Sequence, residues 1–392
     1  MKILFLHEVG YLEKPIFEMH EFPEHLAARG HEVAFADYVE TQRRGHNPNF
    51  GTFIQGRVRN DLRLRLFSQS IGSHSILGRL IAVIQFPFFF LSVLREFKPD
   101  LVVSFSVPTS GWQALAICKV RNIPYVFRAL DVSHRIRRTA FSPLVKLAER
   151  FIYRSATWVS CNNPALREYC LALGAKKDKS SVELPPLDLS HFLGSVEQRH
   201  RLRAKLGIPP EAVAIVYMGS FFYFSGLDQV IRDLQRMESR PHLVLVGGGE
   251  QEAELRGLVQ SLRLKDSVHF TGFVSFDDLP AYLSVADVAI NSMVPTLVAN
   301  AALPNKVLQY MAMGIPVVST NLKGLASMFP EVDGLIFVPS PEEVLSRAVS
   351  VAFESQTTKA GLVNREMVSK TFSIEKNLDS FEQLLIRIGS SR

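Results

Sequence analysis

Residues 242–272 read HLVLVGGGEQEAELRGLVQSLRLKDSVHFTG, and this stretch decides the fold class. HLVLVGGG (242–249) is a Val/Leu run closed by three glycines, the pattern of a buried strand ending in a tight turn. The segment from Glu250 to Leu264 reads as an amphipathic helix, and SVHFTG (267–272) as a second strand. Two apolar strands joined through one helix form a crossover unit, so they lie parallel in a sheet covered on both faces.

The same alternation continues in both directions. AIVYMGS (214–220) precedes the unit; DVAINS (287–292), PVVST (316–320) and GLIFV (334–338) follow it, with a further helix over Asp277–Ala286. Ser340, Pro341 and Glu343 signal another helix start, as N-cap, first-turn proline and capping-box partner. Earlier in the chain, KILFLHE (2–8), HEVAFADY (31–38), DLVVSFS (100–106), PYVFRALD (124–131) and ATWVSCN (156–162) read as strands, with a helix from Lys14 to Gly30. A chain of 392 residues exceeds one ordinary core and suits two domains. The expected architecture is α/β: two doubly wound Rossmann-like domains, residues 1–190 and 191–372, facing across a cleft. A C-terminal helix within 373–392 is expected to return to the first. In open parallel sheets ligands bind beyond the carboxyl ends of the strands, so the cleft is the expected active site.

Apolar residues make up 47% and charged residues 21% of the chain, which excludes a disordered protein. Residues 1–190 carry 25 Lys/Arg against 17 Asp/Glu, whereas residues 191–392 carry 19 against 21. The basic excess therefore belongs to the first half, which is expected to face an anionic surface or ligand. No base-stacking aromatic module accompanies it, so nucleic acid is not the expected partner. Cys118, Cys161 and Cys170 have neither disulfide-framework nor metal-ligand spacing and read as buried thiols of a reducing compartment. The N-terminal MKILFLHE is a first strand rather than a signal peptide, which points to a cytoplasmic protein.

Only Gly10 lies near the end of the first strand, so the three-glycine dinucleotide fingerprint is absent and a nicotinamide or flavin oxidoreductase is disfavoured. Phosphate chemistry is expected in the second half, at LPNKVLQYMAMGIPVVST (303–320). Pro304 and Asn305 open a helix whose unpaired amides and positive dipole end suit a diphosphate. Lys306 stands in the first turn, where a cation is disfavoured unless an anion lies nearby, and Gln309 shares its face. A solvated lysine and a surface glutamine would fit the same spacing. Gly247, Gly248 and Gly249 with Glu250 permit a close backbone approach to a ligand, although such a segment is often only a turn. YMGSFFYFSGLD (217–228) forms a second loop of this kind, in which Gly219, Ser220 and Ser225 are candidate contacts.

In their order and spacing, the YMG–SGLD loop, LVLVGGGEQEAEL, VHFTGFVSFDDLPAYLSVADVAI and PNKVLQYMAMGIPVVST resemble glycosyltransferase family 4 (group 1), the retaining family with the GT-B fold. The resemblance covers nearly the whole chain. It implies a nucleotide-sugar donor on the C-terminal domain and an acceptor on the N-terminal domain; Phe273 is a candidate neighbour of the base. It also implies no metal and no cofactor. RALDVSHRIRR (128–138) matches the region where the family keeps a histidine or aspartate, which nominates Asp131 and His134 as catalytic. Arg135, as an anion contact, and Gly10 are the candidates for the acceptor or phosphate side. A turn-capping Asp131 and a surface His134 fit the same residues. The sequence departs from the family at Ala301 and Gln309, where glutamates are usual, and at Ser220 and Ser225, where arginine and lysine are usual. Those departures keep two alternatives open: a silent sugar-nucleotide-binding protein, or a transferase using an unusual phosphosugar donor.

LIAVIQFPFFFLSVL (80–94) is the most apolar stretch. As a helix it would measure about 22 Å, less than the ~30 Å hydrocarbon core, and Pro87 would bend it, so it is not expected to span a bilayer. With the strip Arg57, Arg59, Arg63 and Arg65 interleaved by Val58, Leu62, Leu64 and Leu66, it is expected to form a peripheral contact with an anionic membrane at its inner face. A buried helix is the other reading of 80–94.

Overall fold

The structure, a computed structural model, describes residues 1–40, 49–71, 76–136, 140–329, 334–354 and 357–390. The chain divides into two compact units, Met1–Pro186 with Ile374–Arg392, and Leu187–Ser373.

The first unit runs β1 (Lys2–Leu6), α1 (Glu18–Ala28), β2 (Glu32–Glu40), β3 (Phe50–Gln55), β4 (Arg63–Ile71), α2 (Ile76–Phe97), β5 (Leu101–Ser104) and α3 (Gly111–Val120). It continues through β6 (Tyr125–Ala129), the short α4 (Ser133–Ile136), α5 (Ser142–Ser155), β7 (Trp158–Cys161), α6 (Pro164–Ala172) and β8 (Ser180–Val182). Its eight strands are ordered β3-β4-β2-β1-β5-β6-β7-β8, all parallel except the antiparallel edge pair β3–β4. Alternation along β6 separates the two faces of the sheet. Tyr125 donates its hydroxyl to the Gly111 carbonyl of α3 at 3.0 Å. Its neighbour Val126 belongs to the opposite core with Ile3, Phe5 and Phe22.

The second unit runs α7 (Val196–Leu206), β9 (Ala214–Ser220), α8 (Leu227–Arg236), β10 (His242–Gly248), α9 (Glu252–Ser261), β11 (Val268–Gly272), α10 (Leu279–Ser284), β12 (Val288–Asn291) and α11 (Leu297–Ala301). Then come α12 (Asn305–Ala312), β13 (Val317–Thr320), α13 (Lys323–Ala326), β14 (Leu335–Val338), α14 (Pro341–Phe353) and α15 (Thr357–Thr371). The wholly parallel sheet has the order β11-β10-β9-β12-β13-β14. This is the 3-2-1-4-5-6 arrangement of a Rossmann domain, whose ligand crevice opens where β9 and β12 send their connections to opposite sides. Ser340 is the N-cap of α14, but its hydroxyl reaches the Glu343 side chain at 3.3 Å instead of the reciprocal backbone bonds expected of a capping box.

The last helix, α16 (Ile374–Gly389), belongs to the first unit. Its inner face supplies Leu378, Phe381, Leu384 and Leu385 to the core, and Phe381 packs against Phe22 of α1 with ring centroids 4.3 Å apart. Beneath this contact lies an ion pair with no solvent access. Arg128 donates to Glu18 at 2.5 and 2.8 Å, and also to the Ser160 hydroxyl and the Glu183 carbonyl. Its guanidinium sits over the rings of Phe22 and Phe381. A buried charge persists only when paired and hydrogen-bonded, and every bond here ties α1, β6, β7 or the segment after β8 to the same point.

Two sequence expectations change. Residues 57–66 are not an open basic strip. The backbone amides of Arg57, Val58 and Arg59 all donate to the Glu24 carboxylate at 2.7 Å. The Arg57 guanidinium turns to the Tyr11 carbonyl, Arg59 pairs with Asp61, and Arg65 pairs with Glu96. Leu64 and Leu66 are buried because they lie on one side of β4. The helix expected over 80–94 in fact spans 22 residues and carries Pro87 inside it. By length and composition it could cross a membrane. Its Phe86, Phe90, Val93 and Phe97 are nevertheless buried in the unit, with Phe97 against Phe67 of β4 and Phe86 against Tyr38 of β2. That packing compensates for the hydrogen bond a helical proline forgoes. All three cysteines are buried thiols.

Candidate active site

β9 ends in Gly219 and Ser220, directly opposite Gly247 and Gly248 at the end of β10. Gly219 and Gly247 both have positive φ, +130° and +129°. A Cβ on Gly247 would stand 2.2 Å from the Gly219 carbonyl oxygen, so only glycine permits this approach. Gly249 similarly packs against the backbone of Phe221, whose amide donates to the Gly248 carbonyl at 2.9 Å. The three glycines thus bind the loops after β9 and β10 to each other. Gly248 also lies under the ring of Phe273, a side chain 69% exposed. Glu250 is exposed in the turn before α9.

α12 starts beside this glycine platform. Its N-cap is Pro304, and no side chain caps the helix. Asn305, Lys306 and Gln309 each retain some solvent exposure, while Val307, Leu308, Tyr310 and Met311 are buried. Tyr310 pins the helix to β9 by accepting the Met218 amide at 2.5 Å. One turn earlier on the same face, the Lys306 ammonium donates to the Tyr217 hydroxyl at 2.8 Å and lies 3.9 Å from the centre of that ring. A Cβ on Gly219 would stand 3.4 Å from Lys306 Nζ, so the cation lies against the glycine backbone. Among the described residues no carboxylate pairs with it, and desolvation of the ammonium by the surrounding protein pulls its pKa down to about 7. Ser220 is exposed at the rim, while Ser225 is buried beside the Tyr217 hydroxyl.

The structure therefore gathers Gly219, Ser220, Gly247, Gly248, Gly249 and Phe273 around the start of α12, with Asn305, Lys306 and Gln309 on the helix itself. Ser225 lies beneath them. Tyr217 completes the group; the sequence places it at the start of the YMGSFFYFSGLD loop without marking it as a contact. Ala301, at the end of α11, is buried.

In the first unit, Asp131 follows β6 and His134 lies in α4, buried. His134 Nδ1 is 2.7 Å from the Glu149 carboxylate, which also accepts the His134 amide at 3.3 Å and the Tyr169 hydroxyl at 2.9 Å. Glu149 fixes the imidazole through Nδ1, leaving Nε2 as the nitrogen not held by this cluster. Burial, and next the Glu149 charge, raise the Asp131 pKa to about 7. Arg135 is exposed. Gly10 is buried within the loop between β1 and α1, near the Glu13 side chain. Sequence reading missed two neighbours. One is Glu149, the only acid of α5. The other is Glu8, which accepts the Thr109 amide at 3.1 Å and adds to the negative field at Asp131. Among the described residues, no three His, Cys, Asp or Glu side chains are arranged to hold a metal.

Comparison with known proteins agrees with this anatomy. Residues 212–354 match the family described as "Glycosyl transferases group 1", and residues 19–182 match "Glycosyl transferase 4-like domain". The lipopolysaccharide core biosynthesis glycosyltransferase LpsE of Rhizobium meliloti is 29% identical over 236 residues, which is 59% of this chain and 65% of that protein. Sucrose-phosphate synthase from Thermosynechococcus elongatus superposes with a TM-score of 0.83 at 20% identity, covering 100% of both chains. Anabaena HepE, solved in complex with UDP and glucose, superposes with a TM-score of 0.77 at 17% identity, again over 100% of both. The chain belongs to the group 1 glycosyltransferases of the GT4-like type and has their GT-B fold of two Rossmann-like domains.

Proposed function

We propose that this glycosyltransferase takes a hexosyl or related sugar from a nucleotide-diphosphate donor bound on the second unit. The sugar passes, with retention of anomeric configuration and without a metal ion, to a glycan or lipid-linked acceptor of cell-surface polysaccharide or glycolipid synthesis. One observation carries the reading: Lys306 stands without a carboxylate partner at the uncapped start of α12, against the Gly219 backbone. A diphosphate there meets free backbone amides, the positive helix end and an ammonium that lacks a counter-charge. The same groups stabilise the negative charge that grows as the diphosphate departs, which is the largest contribution a protein can make to this chemistry. Phe273, exposed beside Gly248, offers a face for the base.

The acceptor is assigned to the first unit, where Asp131 and His134 are the groups able to take up its proton. The reading draws support from HepE, whose structure holds UDP and glucose, and from the lipopolysaccharide role in the name of LpsE. A cytoplasmic enzyme working peripherally at the inner membrane face fits a lipid-linked acceptor.

A panel of UDP-, GDP- and ADP-sugars, incubated with and without EDTA, tests the proposal. Release of nucleoside diphosphate that survives EDTA is expected. Neither turnover nor a donor-induced rise in melting temperature with any donor would overturn it. A second reading rests on Ala301, which is 4% exposed and offers a donor sugar no polar side chain. Stabilisation by a donor without turnover would identify a silent sugar-nucleotide-binding protein. Turnover confined to a lipid-linked phosphosugar would identify an unusual donor.

A further inference from the structure

The first unit presents a continuous layer of helices, α2, α3 and α5, with α3 packed against both others. This layer carries large apolar side chains outward as well as inward. On α2, Leu80, Ile81, Ile84 and Phe88 share one turn-to-turn stripe, and Ile84 and Phe88 are 70% and 74% exposed. On α5, Phe141, Leu144, Leu147 and Phe151 form a second stripe, with Leu144 and Leu147 each 64% exposed. Trp112 of α3 is exposed between them. Isolated exposed leucines are ordinary, but two helical stripes on adjoining helices are not, and they mark an interaction surface.

Charge identifies the partner. The segment 135–155 contains six Lys/Arg and a single acid, Glu149. Glu149 is buried against His134, so it subtracts nothing from the surface. Lys146, Arg150 and Arg154 are exposed at four-residue intervals along the flank of the Leu144–Leu147–Phe151 stripe. Among the described residues none of the three makes an ion pair. An apolar stripe edged by cations whose long stems can lie along it is the arrangement that enters a lipid headgroup region, with ammonium and guanidinium groups left at phosphate level. An oppositely charged protein surface would have no need of eight outward apolar side chains.

We infer that the outer face of α2 and α5 docks on an anionic lipid bilayer, with Ile84, Phe88, Leu144 and Leu147 inserted and Lys146 and Arg150 on the headgroups. This deepens the reading of a lipid-linked acceptor and rests on it for its purpose, though not for its geometry. It also relocates the basic contribution from residues 57–65, where Arg59 and Arg65 are paired with Asp61 and Glu96, to α5.

Flotation of the full-length protein with vesicles of phosphatidylglycerol and phosphatidylethanolamine, or of phosphatidylcholine alone, tests the inference. Binding at least tenfold stronger to the anionic vesicles is expected, weakened several-fold by 0.5 M salt. The variants L144E/L147E and K146E/R150E should each lose tenfold or more of that binding, while their donor-induced thermal shift and donor hydrolysis match the parent. Absence of parent binding, or binding equal in parent and variants, overturns the inference. So does a concentration-dependent dimer that either variant dissolves, which would give the surface to a second copy. Donor hydrolysis without vesicle binding sinks the docking alone, and vesicle binding without donor turnover sinks the transferase reading alone.

Discussion

Lys306 Nζ stands 2.8 Å from the Tyr217 hydroxyl and 3.9 Å from the centre of the same ring, so one aromatic residue of β9 both accepts from and underlies the cation. A phenol satisfies one of the three ammonium protons, and the ring face offers a weak attraction without neutralising the charge. The cation is thus held in place while its charge stays available to a ligand.

Replacing Lys306 by alanine should weaken donor binding 10- to 100-fold, which is about 1.4–2.8 kcal/mol for one charge-assisted phosphate contact. Lys306→Arg should recover only part of this, because a planar guanidinium does not reproduce the compact ammonium held on Tyr217. Calorimetric titration with the donor that turns over is the measurement. Unchanged affinity in the alanine variant would remove the diphosphate from the start of α12.

The pH profile of kcat/KM should be bell-shaped near neutrality. Asp131 is raised to about 7 and becomes a competent proton acceptor only as pH climbs through that value. Lys306 is lowered to about 7 and loses the charge that binds the donor over the same range. The acid limb should vanish in Asp131→Asn, with low residual activity. The alkaline limb should move upward in Lys306→Arg, whose charge persists. For stability the signs differ. Apoprotein stability should gain from Lys306 as pH rises from about 7 towards the ordinary lysine value, because there the unfolded chain binds the extra proton. Raised Asp131 has the opposite effect between the ordinary carboxylate range and about 7, where the folded chain binds the extra proton.

Glu149→Gln should lower kcat by tenfold or more while leaving donor affinity unchanged. The carboxylate bonds to His134 and Tyr169, both in its own unit, whereas the donor is assigned to the other. A role confined to stability would lower the melting temperature and leave kcat at permissive temperature intact, so measuring both separates the two.

Glu18→Gln or Arg128→Met should each destabilise the first unit by about 3–5 kcal/mol, because each leaves the partner charge buried and unpaired. The double replacement should cost less than the sum of the two. Denaturant unfolding of the four proteins measures the coupling. Additive costs would show that the pair acts through separate contacts.

The strands of both units were legible because parallel strands buried on both faces leave continuous Val, Leu and Phe runs, as in LVLV of β10 and LVVS of β5. The antiparallel edge pair β3–β4 escaped notice. Arginines alternate with leucines in β4, and that pattern imitates an open basic strip until Glu24 and Glu96 are brought to it from elsewhere in the chain, beside the local pair Arg59–Asp61. Lys306 was legible as an anomaly, a cation in a first turn. Its partner was not, because Tyr217 lies 89 residues away and looks like core.

By itself, then, the sequence determined the alternation of parallel strands and helices, their doubly wound class and the helix start suited to phosphate. Each of these follows from local periodicity, turn residues and the dipole of a single helix. Only the tertiary structure decided which way charged side chains turn. It set Lys306 on Tyr217, sealed Arg128 against Glu18, and buried Glu149 so that the outer face of α5 is purely basic and apolar. Burial and pairing depend on residues remote in the chain, and no local pattern encodes that proximity.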